Sequence, residues 1–479
     1  MRERPKHAVL ASVQQPGVSD AELASSLDEL ARLAETLGLE VVGRITQRRP
    51  SAGAAAVLGS GKLKELARYT GGTGRVPPGA SRRQKGAQPN EEEEDDGAEG
   101  AELVAELEAE LAPDSDLEEA PPAETGPDGA KQATVVIFDH DLTPSQLRNL
   151  EAATGAEVLD RSSVILAIFQ RHARTREARL QVEIARLNYL TPRLREARGG
   201  ADRQRGGIGG KGAGESALEL DRRRVRDRIA ELRQELAALE RDVGQRRSRR
   251  SQLDTVALVG YTNAGKSSLM RALTGSEVLV EDQLFATLDT ATRVLQPLTH
   301  PRILVSDTVG FFKKLPHDLV ASFRSTLEEA RGAALLLHVV DAADPAWRSQ
   351  LEVTRTVLGE LDAGENPTLV VLNKADRLDP EVRRALAEEL PDALIISAKR
   401  PEDVAALRER ILGFFERDMV EGELFVPYRA QRLVHATYEA CRVLGETHEE
   451  TGTRLRVRAP AALLEELRQR IDAEASSGS

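Results

Sequence analysis

Between His7 and Gly155 the apolar positions follow two different periods. Short apolar runs, HAVLASV, EVVGRITQ and TVVIFDHDL, alternate with stretches whose apolar residues recur every three or four positions, DAELASSLDELARLAETLG, GSGKLKELARY and TPSQLRNLEAATG. The runs suit strands and the stretches suit amphipathic helices, so residues 1–170 are expected to form an N-terminal α/β domain. The helix at Thr143 opens with a threonine cap and Pro144 in the first helical position. GSGK at 59–62 carries Leu63 where a phosphate loop needs Ser or Thr, and no glycine stands five places before Gly61. It reads as a turn capping a helix.

The pattern changes over residues 171–250. TREARLQVEIARLNYLTPRL and ALELDRRRVRDRIAELRQELAALERDV are helical, and in the second Leu218, Val225, Ile229, Leu232, Leu236, Leu239 and Val243 keep coiled-coil spacing. A helical hairpin with a glycine-rich loop is expected. Residues 251–418 return to alternation: TVALVG, ALLLHVVDAAD, PTLVVLNKAD and ALIISAK are near-continuous apolar runs, the last leading into the helical PEDVAALRERILGFFER. Such strands belong to a doubly wound parallel sheet with helices on both faces. Residues 419–479 read as a small α+β domain in the order β-α-β-α: ELFVPY, RAQRLVHATYEACRVLG, TRLRVRAP and AALLEELRQR. It suits docking or packing. His435 and Cys441 lack metal-ligand spacing and read as ordinary helix residues.

Composition changes this picture in two places. The net charge is −12, yet residues 91–130 hold 17 acidic and no basic residues, so the rest of the chain carries +5, the difference between −12 and −17. With its Gly and Pro content, the stretch 71–130 reads as a disordered acidic insertion in the N-terminal domain. Residues 171–250 hold 22 Lys and Arg against 12 Asp and Glu, a net +10. Few aromatics interleave with these charges, so the hairpin suits the phosphate backbone and shape of structured RNA rather than stacked bases. The single cysteine excludes an internal disulfide. No apolar run is long enough to span a bilayer, and a cytoplasmic, monomeric protein is expected.

The chemistry lies beyond residue 254. GYTNAGKS at 260–267 is G-x-x-x-x-G-K-S between a strand and a helix. In this loop, Gly260, Tyr261, Thr262, Asn263, Ala264 and Gly265 would close around phosphates, Lys266 would neutralise their charge and Ser267 would ligate Mg²⁺. FATLD at 285–289 (Phe285, Ala286, Thr287, Leu288, Asp289) offers Thr287 as a second metal ligand. In DTVG (Asp307, Thr308, Val309, Gly310), Asp307 would hold a magnesium-bound water and Gly310 would sense the γ-phosphate. The expected catalytic set is Lys266, Thr287, Asp307 and Gly310.

NKAD (Asn373, Lys374, Ala375, Asp376) and SAK (Ser397, Ala398, Lys399) complete a guanine-nucleotide pattern. Asp376 can accept from the guanine N1–H and 2-amino group together, Asn373 and Lys374 brace the loop, and the Ala398 N–H can reach O6. GTP and GDP are the ligands this order of motifs implies. Phe311 follows Gly310 where a water-orienting glutamine would stand, and its ring can neither donate nor accept a hydrogen bond.

GYTNAGKSSL, FATLD, DTVGFF and NKAD, preceded by LTPSQLRNLE, RHARTREARLQVEIARLNYLTPRL and the loop GIGGKGAGESALELDRR, resemble the HflX GTPases over nearly the whole chain except the acidic insertion. The resemblance implies a GTP-hydrolysing factor whose partner is the large ribosomal subunit, its rRNA and proteins, and which splits or rescues stalled ribosomes. A GTPase of large-subunit assembly, or an RNA-binding module with a structural nucleotide, would share most of these motifs. The chain departs from the family pattern at Thr290 and Ala291, at Ala217 and at Ala167. Asn263 also resembles the P-loop asparagine of GTPases with potassium-dependent turnover, which makes K⁺ an expected cofactor beside Mg²⁺.

Overall fold

A computed structural model describes residues 6–50, 53, 55–76, 132–197, 213–250, 254–275, 291–312 and 329–476. They fall into two compact units divided between Leu239 and Glu240. Residues 77–130 of the expected insertion 71–130, the hairpin loop 198–212, the FATLD segment and the side chains of Leu218 and Val243 lie outside the described residues.

The first unit is built on a four-stranded parallel sheet of β1 (His7–Gln14), β2 (Glu40–Arg48), β3 (Val135–Phe138) and β4 (Glu157–Asp160), in the order β2-β1-β3-β4. Val9, Ala11, Val136 and Phe138 pack on one face with Leu63 and Leu66 of α2 (Ser60–Thr70) and Leu150 and Ala153 of α3 (Pro144–Thr154). The helix α1 (Asp20–Thr36) also packs against β1 and β2. Thr143 caps α3 with Pro144 in its first turn, and Gly59 of the GSGK stretch is the N-cap of α2. Gln132 and Ala133, which lead into β3, lie beside the end of α2. The Ala133 N–H donates to Tyr69 O at 2.8 Å, Gln132 Nε2 to Thr70 O at 2.9 Å and the Gly74 N–H to Ala153 O at 2.8 Å.

Two knots of charge are buried in this unit. Arg161, at the start of α4 (Arg161–His172), is 2% exposed and donates to Asp139 Oδ1 at 2.7 Å and to Glu29 Oε2 of α1 at 2.6 Å. Ser26 donates to the same Asp139 carboxylate at 2.7 Å. In the second knot Asp160 accepts from Tyr189 Oη and Arg193 Nη2, both at 2.7 Å, on α5 (Arg176–Ala197). The Arg193 guanidinium lies 3.3 Å from the centre of the Tyr189 ring. Burial, with the Asp160 carboxylate beside it, pushes the Tyr189 hydroxyl far above its ordinary pKa.

Helix α5 and α6 (Ala213–Arg250) pack along Leu180 and Ile184 against Val225, Ile229 and Leu232, with Leu187, Leu236 and Leu239 partly buried. Arg223, Arg226 and Arg233 are exposed beside this seam. Arg228 is drawn into pairs with Glu183 at 3.1 Å and Glu231 at 3.4 Å.

In the second unit β5 (Asp254–Gly260), β6 (Ala291–Val294), β7 (Ile303–Asp307), β8 (Leu335–Asp341), β9 (Thr368–Asn373) and β10 (Leu394–Ile395) form one sheet in the order β10-β9-β8-β5-β7-β6. Helices α7 (Lys266–Thr274) and α10 (Pro401–Phe415) contribute to the core on one face, α8 (Trp347–Glu360) and α9 (Pro380–Glu389) to that on the other. The doubly wound expectation holds with one correction. β6 runs antiparallel to β7, so the sheet is mixed at that edge. ATRV is too short and too polar to announce itself as a strand.

The C-terminal part also departs from the expected order. β11 (Met419–Pro427), α11 (Arg432–Ala440), β12 (Arg442–Glu449), β13 (Gly452–Pro460) and α12 (Ala461–Ser476) give β-α-β-β-α. The stretch RVLG, read as the end of a helix, is extended. It pairs antiparallel with β13, which lies in the middle of the three strands. Cys441 falls just past the helix, fully buried, and burial pushes its thiol up to about 11.

Candidate functional site

The phosphate loop joins the carboxyl end of β5 to α7. Gly265, at φ 94°, is the N-cap of α7, and no side chain caps that end. The first N–H groups of the helix are therefore open to an anion. A Cβ on Gly265 would lie 2.2 Å from Asn373 Nδ2, so glycine is required for both the backbone turn and the close approach. Asn373 Nδ2 donates to Ala264 O at 2.9 Å, and its Oδ1 accepts the Ala398 N–H at 3.0 Å. One side chain thus ties the phosphate loop to both base-recognition segments.

Lys266 is buried, with Nζ donating to Gly260 O at 3.1 Å and Tyr261 O at 2.9 Å. Burial pushes its pKa down to about 8, and the Asp307 carboxylate opposes that shift. The carboxylate, at the end of β7, accepts from Ser267 Oγ at 2.7 Å. A hydroxyl and a carboxylate oxygen side by side are hard donors of the kind that suit Mg²⁺. Thr308 Oγ1 donates to Leu258 O at 2.7 Å and fixes the turn after β7. A Cβ on Gly310 would sit 2.9 Å from Lys266 Nζ and from Thr262 Cα, so only glycine lets this backbone approach the loop.

Val309 and Phe311 are buried beyond the turn. Phe311 joins Tyr261 in a parallel bridge, accepting the Thr262 N–H at 2.8 Å and donating to Gly260 O at 3.1 Å. Its ring packs with Ala257, Val259, Ala330 and Leu336. The ring is already in the core, and turning it out would forfeit about 1.5–3 kcal/mol of apolar burial.

On the base side Ser397 Oγ donates to Asp376 Oδ1 at 2.6 Å, while the Ser397 N–H donates to Asp403 Oδ2 at 2.8 Å. The Ser397 bond holds the Asp376 carboxyl below its ordinary pKa, helped by Lys399 and Arg377 and opposed by partial burial. An ionised acceptor at this point suits two donors on one ring edge. Lys374 has left-handed backbone, φ 63° and ψ 31°, and leads into Ala375 at 4% exposure. Asn263 is also left-handed, at φ 59°. Of the expected site residues, Phe285, Ala286, Thr287, Leu288 and Asp289 lie outside the described residues. The others gather at the carboxyl edge of the sheet.

One buried group was not anticipated. His338 on β8 is 1% exposed, and its Nε2 has no hydrogen-bond partner among the described residues. Burial, with the charges of Arg355 and Lys266, pushes its pKa down to about 3. An unfolded histidine titrates near 6.5, so the folded state is fully favoured only above that value and loses stability as pH falls towards 3. Between pH 6 and pH 5 the expected slope is about 1 kcal/mol per unit. Denaturant titrations should find this slope reduced in His338→Leu.

Three family models match the chain, described as GTP-binding GTPase N-terminal (residues 24–74 and 128–170), GTP-binding GTPase Middle Region (172–250) and 50S ribosome-binding GTPase (255–374). The sequence is 57% identical to the GTPase HflX of Gluconacetobacter diazotrophicus over 97% of this chain and 98% of that protein. The chain belongs to the HflX GTPases. The HflX proteins of Caldanaerobacter subterraneus and Escherichia coli are 35% and 44% identical, covering 97% and 69% of this chain and 94% and 79% of theirs. The described P-loop architecture fits the HflX assignment, with guanine-nucleotide binding and GTP hydrolysis as its activity, and Mg²⁺ is the general requirement of such enzymes. Among the described residues no helix is long and apolar enough to cross a membrane.

Proposed function

We propose that the protein couples GTP hydrolysis to binding of the large ribosomal subunit, and that this coupling splits or rescues stalled ribosomes. The carrying observation is Phe311. The position where a water-orienting side chain would stand is occupied by a ring in the hydrophobic core, so the attacking water has to be oriented by a partner. The matching family model is described as a 50S ribosome-binding GTPase, and the arginines beside the hairpin seam give a surface suited to rRNA phosphates.

Within the site, the phosphate-loop N–H groups and Lys266 would cradle the phosphates. Ser267 and Thr287 would hold Mg²⁺, with Asp307 on a magnesium-bound water, and the ion would supply charge neutralisation at the phosphates when bound. The Gly310 N–H would meet the γ-phosphate. Asn263 would offer its side-chain oxygen to a monovalent cation such as K⁺.

Asp376 would read guanine N1–H and the 2-amino group, with Ala398 N–H on O6. Asp376→Asn should lose GTP and gain xanthosine triphosphate, because the amide donates to the oxygen that replaces the 2-amino group. Competition binding of the two nucleotides reads this, and an unchanged preference for GTP would refute the guanine assignment.

Deleting residues 199–214 tests the partner. Sedimentation with purified large subunits should show weakened binding while GTP affinity in isolation is retained, and wild-type binding should fall steeply with salt. Salt-independent binding would point to a protein contact in place of rRNA.

A further inference from the structure

We infer that Asp341 is a positioning residue for guanine recognition, acting through Lys374. The inference rests on the site proposed above and adds a residue that the nucleotide motifs do not contain.

Asp341 is the last residue of β8, and the parallel register of β8 and β9 sets it directly opposite Asn373. The two strand ends are joined again one residue on, where the Ala342 N–H donates to Asn373 O at 3.0 Å. The Asp341 carboxylate divides its work between its oxygens. Oδ1 accepts the Ala343 N–H at 3.1 Å and holds the turn leaving β8. Oδ2 lies 2.7 Å from Lys374 Nζ, and both side chains are 16% exposed. That is far less exposed than the Arg48–Asp20 pair, at 74% and 75%, so solvent screens it less and it is worth more than an ordinary surface ion pair.

Lys374 needs such an anchor. Its left-handed backbone is unusual for a residue with a Cβ and costs about 1 kcal/mol or more unless the surroundings hold it. The Arg377 N–H donates to Lys374 O at 2.9 Å, and Asn373 before it is tied to the phosphate loop and to Ala398. Backbone and ammonium are thus fixed at opposite ends, and the alkyl stem between them is held in place. Lys374 stands between the side chain that ties the phosphate loop and the carboxylate proposed to read the base edge. A fixed apolar stem there offers a wall for the face of a purine ring. Asp341 supplies the fixed point, so affinity for the base depends on a carboxylate that need not touch the nucleotide.

The test compares Asp341→Asn, which keeps an acceptor for the Ala343 N–H and removes the charge, with Lys374→Met and the double variant. Binding of fluorescent GDP and GTP to the full-length protein should weaken about tenfold in Asp341→Asn, as expected for loss of one charge-assisted bond. KM for GTP should rise by a similar factor while kcat moves by less than twofold. Inosine triphosphate should weaken by the same factor as GTP, because a wall touches the ring face and leaves the reading of the 2-amino edge alone. The double variant should be little worse than Lys374→Met.

Additive losses in the double variant would overturn the inference, since Asp341 would then act independently of Lys374. Unchanged affinity in Asp341→Asn would also overturn it. A fall in melting temperature without nucleotide, matched by no coupling to Lys374, would assign Asp341 a purely structural role. Failure of the underlying site has a separate signature, namely Asp376→Asn retaining its preference for GTP.

Discussion

Saturation with large ribosomal subunits should raise single-turnover GTP hydrolysis by about 10³- to 10⁵-fold over the free protein, the range a supplied activating group gives other nucleotide hydrolases. The expectation follows from where catalytic groups are present and where they are not. Charge stabilisation is built in: Lys266 is buried against the phosphate-loop carbonyls, and Ser267 and Asp307 present adjacent oxygens. Among the described residues, the position for orienting water is filled by a phenylalanine, Phe311, held by two backbone bonds to the phosphate loop and packed in the core. Phosphoryl transfer depends chiefly on those two contributions, so an enzyme with one of them should be slow alone. Phe311→Gln should not repair the free protein, since the polar side chain would replace a ring directed into apolar packing. Rapid-quench measurements on free and subunit-saturated protein decide the matter, and fast hydrolysis without subunits would refute partner-supplied activation.

Arg161→Leu should destabilise the N-terminal unit by about 3–5 kcal/mol. The guanidinium lies between Asp139 and Glu29, three charged side chains each no more than 7% exposed. Removing the cation leaves two buried carboxylates without the arginine they share, with the Ser26 and Ser12 hydroxyls still donating to Asp139. Breaking a buried pair costs more than its formation gains, because the remaining charge cannot return to water without opening the fold. Urea denaturation followed by hydrogen exchange in α1 and β3 would measure the loss. A change below 1 kcal/mol would mean that water reaches the cluster.

The phosphate loop was legible in the sequence because its chemistry is done by backbone. A left-handed Gly265 and a helix start after a buried strand impose fixed spacings, and spacing survives in a linear reading. Asp376, Ser397 and Ala398 were legible for the same reason: each follows an apolar run ending at the same edge of the sheet. Asp341 was not singled out, although it ends the apolar run LLLHVV. Its partner Lys374 is supplied by strand register, which one sequence does not reveal. The Glu29–Asp139–Arg161 cluster was hidden similarly, since Glu29 on an amphipathic helix reads as a solvated charge. RVLG, the start of β12, continues an apolar helical period, and only pairing with β13 makes it extended. The place of Phe311 after Gly310 is legible, but the direction of its ring is not, since a lone bridge to Tyr261 leaves no trace in periodicity.

The closure of the N-terminal sheet at Tyr69 and Ala133 has a consequence for the gene as well as the fold. The two ends of the intervening sequence are held side by side by bonds that belong to the domain itself. For a flexible loop closed between two fixed ends, each doubling of length costs about 0.6 kcal/mol in closure entropy. Codons can accumulate or be lost there without shifting strand register on either side, which makes this junction permissive in evolution and a natural place to graft a reporter domain or to open a circular permutant.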